Sequence, residues 1–228
     1  MFERLRDLIR LSPRGAAEPA ADDPLAPVRR AGGAPRGIVH VGANDGHEFK
    51  YYRDSGAAIA VYVEPLPEVF EKLRRNLKGT PGHHAVHALL ADTDGRDVDF
   101  HVASNRGQSS SMFPLGRHRT LFPDIAYVDT IRMRTPTLDS LLAEAPFAGH
   151  RFDFLAIDVQ GAELQVLQGA AQSLPAIDFV YVEASETPLY EGACTLDEIV
   201  AHLARFGLRL DGFVAYDGGW GNAFFRRR

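Results

Sequence analysis

The stretch that most constrains the fold is Gly37 to Gly46, which reads Gly-Ile-Val-His-Val-Gly-Ala-Asn-Asp-Gly. Its first part, Ile38 to Val41, is an apolar run rich in β-branched residues and is typical of a buried strand. The second part changes abruptly to small and polar residues with a glycine at each end, which predicts a turn. If a helix begins near Gly46, its free N–H groups and the positive end of its dipole face this turn. The turn is therefore a candidate ligand site.

An acidic residue follows at the end of the next apolar run. Ile59 to Val63 predicts a second strand, and Glu64 and Pro65 come directly after it. In doubly wound folds, a carboxylate roughly 20 residues past the glycine turn accepts hydrogen bonds from ribose hydroxyls. The spacing therefore indicates a strand-helix-strand nucleotide site in which Glu64 binds the sugar.

The turn lacks the residues that bind phosphate groups. A dinucleotide turn needs Gly-x-Gly-x-x-Gly, and Asn44 stands where the middle glycine would be. A phosphate-loop lysine is also missing, because His47 and Glu48 follow Gly46. Asp45 would repel a phosphate but suits a cationic or zwitterionic ligand. The ligand that fits is S-adenosylmethionine, which carries an adenosine, a charged amino acid end and no phosphate.

Length and composition bound the other properties of the chain. Its 228 residues suffice for one sizeable α/β domain. The formal net charge of -5 gives no basic field, so nucleic acid is not an expected partner. The single cysteine, Cys194, cannot form an internal disulfide, which fits a reducing compartment. Since no apolar run approaches the ~20 residues of a membrane span, we expect a soluble, cytoplasmic protein.

The first 36 residues are set apart from the predicted domain, which covers residues 37–228. Met1 to Leu11 carries apolar residues at helical spacing with arginines between them, which favours a short helix packed on the domain or on a partner. A helix lying on a membrane surface is the alternative. Residues 12–36 are rich in Pro, Ala and Gly and are predicted to form a linker.

Strands and helices alternate along most of the remaining chain. This alternation predicts a doubly wound, mostly parallel sheet covered by helices on both faces. Val98 to Val102 and Ile125 to Met133 instead form two extended segments joined by a long loop, which indicates a β insertion. The polar part of that loop, Ser104 to Ser111, is expected to cover the site, and Thr187 to Cys194 is expected to shape the same pocket. The candidate substrate-binding residues are Gln108, Ser110, Ser111 and Tyr190.

Acidic residues follow several of the predicted strands, where the catalytic groups of open sheets gather. The third strand, His84 to Leu90, runs out into Ala91 and Asp92. Asp92 is placed to bond the adenine amino group, or it merely begins a hairpin turn. Asp158 follows the strand Phe154 to Ile157. Further along, Glu183 ends the fifth strand.

If the acceptor of the methyl group is a hydroxyl, the transfer needs near-attack geometry and a base within hydrogen-bond reach. Asp158 is the first candidate for that base, Glu183 or Glu186 is the second, and His47 is the third. A Mg²⁺ held by the three carboxylates is a possible but less favoured alternative, because carboxylates at strand ends also serve as caps and turn residues. No other metal site is expected.

Four ordered motifs resemble the FkbM family of S-adenosylmethionine-dependent methyltransferases. They are Val41-Gly-Ala-Asn-Asp-Gly46, Val63-Glu-Pro65, Ile157-Asp-Val-Gln-Gly-Ala-Glu163 with Leu167-Gln-Gly-Ala170, and Val182-Glu183 followed by Pro188-Leu-Tyr-Glu-Gly192. The resemblance implies a class I, Rossmann-like methyltransferase fold of seven strands with the last one antiparallel. It also implies methyl transfer mainly to hydroxyl oxygens of sugars, polyketides or other secondary metabolites, so the expected partner is a small-molecule or glycan acceptor.

The resemblance also assigns roles to individual positions. The positions implied to hold the cofactor are Gly42, Ala43, Asn44, Asp45 and Gly46 for its methionine part, Glu64 and Pro65 for its ribose, and Ala91 and Asp92 for its adenine. Asp158 is implied to lie nearest the acceptor. The family commonly has an acid where this chain has His40, which is predicted to be a core histidine, so the contact usually made by that acid is in doubt.

Two functions of other classes remain open from the sequence. A nicotinamide oxidoreductase is disfavoured by Asn44 in place of the middle glycine. A non-catalytic partner protein that keeps the cofactor fold and acts through its amino-terminal helix or its loops is the other. The oligomeric state is not indicated by any motif.

Overall fold

The structure is a computed structural model that describes the backbone of Ile9–Leu11 and all of residues 23–228. Its strands are β1 (Ile9–Leu11), β2 (Gly37–Val41), β3 (Ile59–Glu64), β4 (His83–His87), β5 (Asp97–Ala103), β6 (Tyr127–Arg134), β7 (Phe154–Ile157), β8 (Phe179–Ser185), β9 (Leu208–Ala215) and β10 (Trp220–Arg227). Its α-helices are α1 (Ala26–Arg30), α2 (Phe49–Arg53), α3 (Pro67–Asn76), α4 (His118–Leu121), α5 (Leu138–Ala143), α6 (Glu163–Gln168) and α7 (Leu196–Ala204).

The main sheet has the order β1-β9-β10-β8-β7-β2-β3-β4. Neighbouring strands run parallel except at β10, which is antiparallel to both β8 and β9. The predicted mostly parallel seven-stranded sheet with an antiparallel last strand is confirmed by β2 to β4 and β7 to β10. The short strand β1 adds an eighth member at one edge, which was not predicted.

Helices cover both faces of the sheet. Alternate residues of each central strand point to opposite sides, so each strand contributes to two cores. On one face, Val39 and Val41 of β2 belong to a core that includes side chains of α5, α6 and α7. On the other face, Ile38 joins a core with side chains of α1, α2 and α3. Every residue of β2 and β3 is buried, as expected for parallel strands between two helix layers.

The strand order reverses between β2 and β7. From β2 the chain proceeds outward through β3 and β4, whereas β7 leads to β8 on the other side. The two strands are hydrogen-bonded neighbours, and the backbone N–H of Asp158 donates to the carbonyl of Val41 at 2.9 Å. Loops at such a reversal diverge and leave a crevice at the carboxyl ends of the strands. The fold therefore places the site at the glycine turn and at Asp158.

The predicted β insertion is confirmed as a two-stranded antiparallel sheet of β5 and β6. Phe100 of β5 packs with Leu66, Val69 and Leu89, which lie at the start of α3 and after β4. This contact holds the insertion against the carboxyl end of the main sheet. The loop between the two strands consequently lies over the crevice.

The structure differs from the prediction in the amino-terminal region. Ile9–Leu11, predicted to end a helix, is a strand that pairs with β9. Residues 23–36, predicted as part of a linker, contain α1, whose Val28 is fully buried in the core. Met1 to Leu8 and residues 12–22 lie outside the described residues. Among the helices that are described, none is long and apolar enough to cross a lipid bilayer.

Candidate active site

A cavity of about 530 Å³ lies at the carboxyl ends of β2, β3, β7 and β8. One end is formed by the glycine turn after β2 together with Glu64 and Pro65. The loop of the β insertion forms the other end, and Asp158 and Glu183 lie between the two. The volume is in the range of small-molecule sites in proteins.

The glycine turn is held in a conformation that its sequence requires. The backbone N–H groups of Gly42 and Ala43 both donate to the carbonyl of Val63, at 2.9 and 3.0 Å. Gly42 has φ +81, and a Cβ at this position would lie 1.7 Å from the backbone oxygen of Asp158. Only glycine therefore allows the backbones after β2 and β7 to approach this closely.

Glu64 joins the end of β3 to the glycine turn. One carboxyl oxygen accepts the backbone N–H of Asn44 at 3.0 Å, and the other accepts that of Leu66 at 2.9 Å. The side chain is buried, and burial raises the pKa of this carboxyl to about 7, against the effect of the two backbone donors. Each oxygen retains a further lone pair, so Glu64 can also accept hydrogen bonds from a diol.

The lining of the cavity fits a cationic ligand without phosphate groups. Its carboxyl side chains belong to Asp45, Glu48, Glu64, Asp158 and Glu183, and no lysine or arginine lines it among the residues described. A phosphate would lack a cationic partner there, whereas a sulfonium and an ammonium group are favoured by the surrounding carboxylates. An apolar wall at residues 88–90 completes this end and is suited to a nucleobase.

Asp158 and Glu183 are neighbouring carboxyls in the lining of the cavity, and each affects the pKa of the other. Both side chains also accept from the amide of Gln160, whose Nε2 lies 2.6 Å from Asp158 Oδ1 and 2.7 Å from Glu183 Oε2. Asp158 is exposed to the cavity and Glu183 is half-buried, and desolvation within the site raises the pKa of both carboxyls. Two carboxyls this close share a proton more readily than they carry two charges.

The other end of the cavity combines polar loop residues with aromatic side chains. Asn105 and Gln108 line it from the loop of the insertion, as predicted for the Ser104 to Ser111 segment. Phe122 and Trp220 lie across from them, with ring centroids 6.2 Å apart. This end therefore offers hydrogen-bonding groups beside flat apolar surfaces, which suits an acceptor with several hydroxyl groups.

Comparison with known proteins agrees with this geometry. The family model described as Methyltransferase FkbM domain matches residues 40–210. The chain belongs to this family. The FkbM domain is thus an S-adenosylmethionine-dependent methyltransferase, and the resemblance of its four motifs is confirmed.

The individual proteins compared with this chain are distant from it in sequence. The chain is 28% identical over 178 residues to the 2-O-methyltransferase NoeI of Sinorhizobium fredii, and the match covers 75% of this chain and 72% of that protein. A SAM-dependent methyltransferase from Aquifex aeolicus superposes with a TM-score of 0.50 at 10% identity, covering 98% of this chain and 96% of the other. Magnesium protoporphyrin IX methyltransferase from Synechocystis PCC 6803 also has a TM-score of 0.50, at 9% identity, covering 90% and 76%. These structures share the class I fold.

Two residues predicted to bind adenine do not line the cavity of the FkbM domain. The third strand ends at His87, so Ala91 and Asp92 lie beyond an irregular segment. The backbone of fully buried Ala91 bonds to that of Pro136, and Asp92 forms an ion pair with Arg96 at 3.1 Å. The turn after Asp92 leads into β5, which lies in a different sheet from β4, so this turn does not join a hairpin.

Glu186, a second-choice base, is also absent from the lining of the cavity, unlike Asp158 and Glu183. It follows β8, and its backbone N–H donates to the carbonyl of Gly219 at 2.8 Å. The three carboxylates of the alternative magnesium site are therefore not all at the cavity. In the part of the chain that is described, no three His, Cys, Asp or Glu side chains come together as a metal site.

Three further predicted residues lie behind the cavity wall. Gly46 closes the glycine turn, with its N–H donating to Ala43 at 2.9 Å. Ser111 is buried, and its hydroxyl donates to the carbonyl of Gln160 at 2.6 Å. The Tyr190 hydroxyl donates to Oε1 of the same residue at 2.6 Å. Gln108 and Ser110 do line the cavity, and so does His47.

His40 is a core histidine, as predicted. It is buried in β2, its Nδ1 lies 3.2 Å from the hydroxyl of Tyr52, and burial lowers its pKa to about 4. The ring is therefore neutral at physiological pH. It does not line the cavity, in contrast to Glu48, which approaches its Nδ1 to 3.9 Å.

Several residues that line the cavity were not predicted from the sequence. Gln160 lies inside the motif of residues 157–163, but nothing in its spacing indicates contact with two carboxylates. His118 lines the cavity from α4 with its Nε2 3.1 Å from the Ser109 hydroxyl. Trp220, at the start of β10, also lines the cavity. It is the single tryptophan of the chain, which is the one sequence feature that distinguishes it.

Proposed function

We propose that this methyltransferase transfers a methyl group to a hydroxyl oxygen of a sugar or glycan, or of a hydroxylated secondary metabolite. The observation that carries the proposal is the Asp158–Glu183 carboxyl pair in the lining of the cavity. The backbone of Asp158 lies against Gly42 of the turn, and Gln160, which bonds both carboxyls, also bonds Ser111 of the insertion loop. A hydroxyl acceptor must lose its proton during transfer, and a carboxylate pair is suited to take it. The oxygen-directed activity named for the relative NoeI supports the same chemistry.

At the cofactor end, we assign the amino acid part of S-adenosylmethionine to the turn of Gly42 to Asp45. The ribose hydroxyls are assigned to Glu64, beside Pro65. Residues 88–90 take the face of the adenine in place of the predicted Ala91 and Asp92. Glu64 is well suited to this role because it already fixes the turn through the Asn44 N–H, so one side chain ties ribose binding to the shape of the turn.

The reaction balances without a metal ion. Held by the turn of Gly42 to Asp45 and by Glu64, S-adenosylmethionine would supply the electrophilic methyl group, with its thioether as the leaving group. Asp158 accepts the hydroxyl proton, which the pair with Glu183 then shares. The loop of the insertion keeps water from the acceptor oxygen, and Asn105 and Gln108 orient neighbouring hydroxyls of the acceptor for in-line attack.

The acceptor end favours a ring with several hydroxyls. Trp220 and Phe122 supply flat surfaces for the apolar face of a sugar ring, and the amides of Asn105 and Gln108 supply donors and acceptors for its edge. The single cysteine of the sequence, Cys194, cannot form an internal disulfide, which fits a reducing compartment. We therefore keep the cytoplasm as the proposed location.

A labelled-methyl screen tests this proposal. The protein is incubated with methyl-labelled S-adenosylmethionine and with monosaccharides, oligosaccharides, nucleotide sugars and phenolic or aliphatic diols, each in EDTA and again in Mg²⁺. We expect label in an ether of one of the sugar acceptors, in EDTA as well as in Mg²⁺. Transfer to nitrogen or carbon, transfer only with Mg²⁺, or binding of the cofactor without transfer to any acceptor would contradict the proposal.

A further inference from the structure

The side-chain amide of Gln160 bridges the two carboxyls of the pair. Its two N–H bonds are used separately, one toward Asp158 at 2.6 Å and one toward Glu183 at 2.7 Å. Its oxygen accepts the hydroxyl of Tyr190 at 2.6 Å. Both N–H groups and the oxygen of the amide thus have a partner, and all three partners are side chains of this site.

We propose that Gln160 is a positioning residue that holds Asp158 and Glu183 side by side so that they act as a single base. The inference rests on the proposed methylation of a hydroxyl and adds to it how the base is built. Gln160 does not itself take the proton, since an amide is not basic. It acts through the two carboxyls that it orients.

The orientation of the amide is fixed by its surroundings. A tyrosine hydroxyl that donates to Oε1 leaves Nε2 facing the carboxyls, and Tyr190 is buried with its ring 5.2 Å from that of His118. The backbone is fixed as well. Gln160 has φ +55, and its carbonyl accepts the hydroxyl of buried Ser111 at 2.6 Å. A non-glycine residue in this conformation carries strain, which is typical of functional sites.

The contacts of Gln160 connect the β insertion to the proposed base. Ser111 ends the loop that forms the acceptor end of the cavity, and Tyr190 comes from the segment after β8. Both contact Gln160, one at its backbone and one at its side chain. Gln160 therefore links the acceptor loop to Asp158 and Glu183.

The pair lies among groups that oppose a second negative charge. The titratable side chains around it are His40 from β2, Glu48 before α2, Glu64 at the end of β3, Glu163 from α6, and Tyr190. Most of these are acids, and His40 is neutral at physiological pH. The two N–H groups of Gln160 favour the ionised form of the pair, which acts against the burial that raises the pKa of both carboxyls. Without them the base would remain protonated to higher pH.

The variant Gln160→Met tests the inference, because methionine keeps the length and unbranched shape but has no N–H. With an acceptor from the screen, we expect kcat at pH 7 to fall about 10- to 100-fold, less than the 10²- to 10⁴-fold contribution typical of a general base, because both carboxyls remain. The acidic limb of the kcat profile should move upward by about one pH unit. The Kd of S-adenosylhomocysteine should change less than about threefold, since the effect is on the base.

Two further variants sharpen the comparison. Gln160→Glu is close in shape but replaces the donors by a third acid, so its loss of kcat at pH 7 should exceed that of Gln160→Met. Tyr190→Phe frees the amide to rotate and should shift the profile in the same direction by a smaller amount. Gln168→Met, the same change at an exposed position of α6, serves as the control and should match the wild type. If Gln160→Met does not fold, Tyr190→Phe and Gln160→Glu carry the test.

A second readout does not depend on the acceptor. Infrared difference titration with isotope-labelled aspartate, in the presence of S-adenosylhomocysteine, follows protonation of Asp158, which Asp158→Asn identifies. We expect Gln160→Met to raise the titration midpoint. An unchanged midpoint together with an unchanged pH profile would overturn the inference. If the wild type methylates no acceptor, the proposed function fails, and the infrared midpoint still decides whether Gln160 governs the pair.

Discussion

The close approach of the backbones after β2 and β7 can be tested by adding one methyl group. Gly42 and Gly56 both have φ +81, but the added Cβ of Gly56 has nothing within 4 Å, whereas that of Gly42 would lie 1.7 Å from the carbonyl oxygen of Asp158. The two alanine variants therefore share the backbone strain and differ in the overlap. The difference between their free energies of unfolding measures the effect of the steric overlap alone.

The strain alone has a modest expected effect. An alanine in the left-handed region costs about 1–2 kcal/mol, and the stiffer unfolded chain returns about 0.4–1 kcal/mol. Gly56→Ala should thus destabilise the fold by about 1 kcal/mol. Gly42→Ala adds overpacking of about 1–3 kcal/mol and about 1 kcal/mol for the weakened bond between Asp158 N–H and Val41, which gives a total of roughly 3–5 kcal/mol.

Urea unfolding of both variants measures these differences, and calorimetric titration with S-adenosylhomocysteine measures the effect on the turn. We expect Gly42→Ala to lose at least tenfold in affinity for S-adenosylhomocysteine, about 1.4 kcal/mol, and Gly56→Ala to bind normally. If Gly42→Ala destabilises the protein no more than Gly56→Ala and binds the ligand as well, the described contact between the two loops is wrong.

Two other variants give independent outcomes. Asp158→Asn should reduce single-turnover methyl transfer by about 10²- to 10⁴-fold while leaving the affinity for S-adenosylhomocysteine unchanged; near-normal transfer would exclude Asp158 as the base. Burial raises the pKa of Glu163 to about 7 from an ordinary value of 4.5, so the folded state binds this proton more tightly than the unfolded state and loses stability as pH rises from about 4.5 to about 7. Glu163→Gln should remove up to about 3 kcal/mol of that loss, as measured by urea unfolding across this pH range. Equal pH dependence in the wild type, in Glu163→Gln and in the exposed control Glu191→Gln would contradict it.

The part of the fold that the sequence predicts best is the part determined by local pattern. β2 and β7 were predicted within a residue, because a continuous apolar run bounded by polar residues has few alternatives. The turn after β2 followed from its glycines. The antiparallel last strand came from the resemblance of the motifs to a known family, since hydrophobic pattern does not encode strand direction.

The candidate site was predicted where residues directly follow a central strand. Glu64, Asp158 and Glu183 meet at the cavity because parallel strands end at one edge of the sheet. Asp92 does not, because β4 ends early and the intervening irregular segment carries the chain away. Gln160 reaches the cavity from a left-handed backbone conformation, and Trp220 reaches it from the start of the late strand β10. Neither feature leaves a local pattern in the sequence.

Glu163 shows how burial changes the meaning of an acid in the sequence. Its carboxyl accepts the backbone N–H of Gly161 at 2.9 Å and that of Val159 at 3.3 Å. It therefore stabilises the loop that carries Gln160. Because Glu163 does not line the cavity, the chemistry is left to the pair that this loop supports.

The most direct test of the whole account is a crystal structure of the protein with S-adenosylhomocysteine. We predict the ribose hydroxyls within hydrogen-bond distance of Glu64, the amino acid end against the turn of Gly42 to Asp45, and the sulfur facing Asp158 and Glu183. An adenosine bound outside this cavity, or a sulfur turned away from the carboxyl pair, would contradict the account.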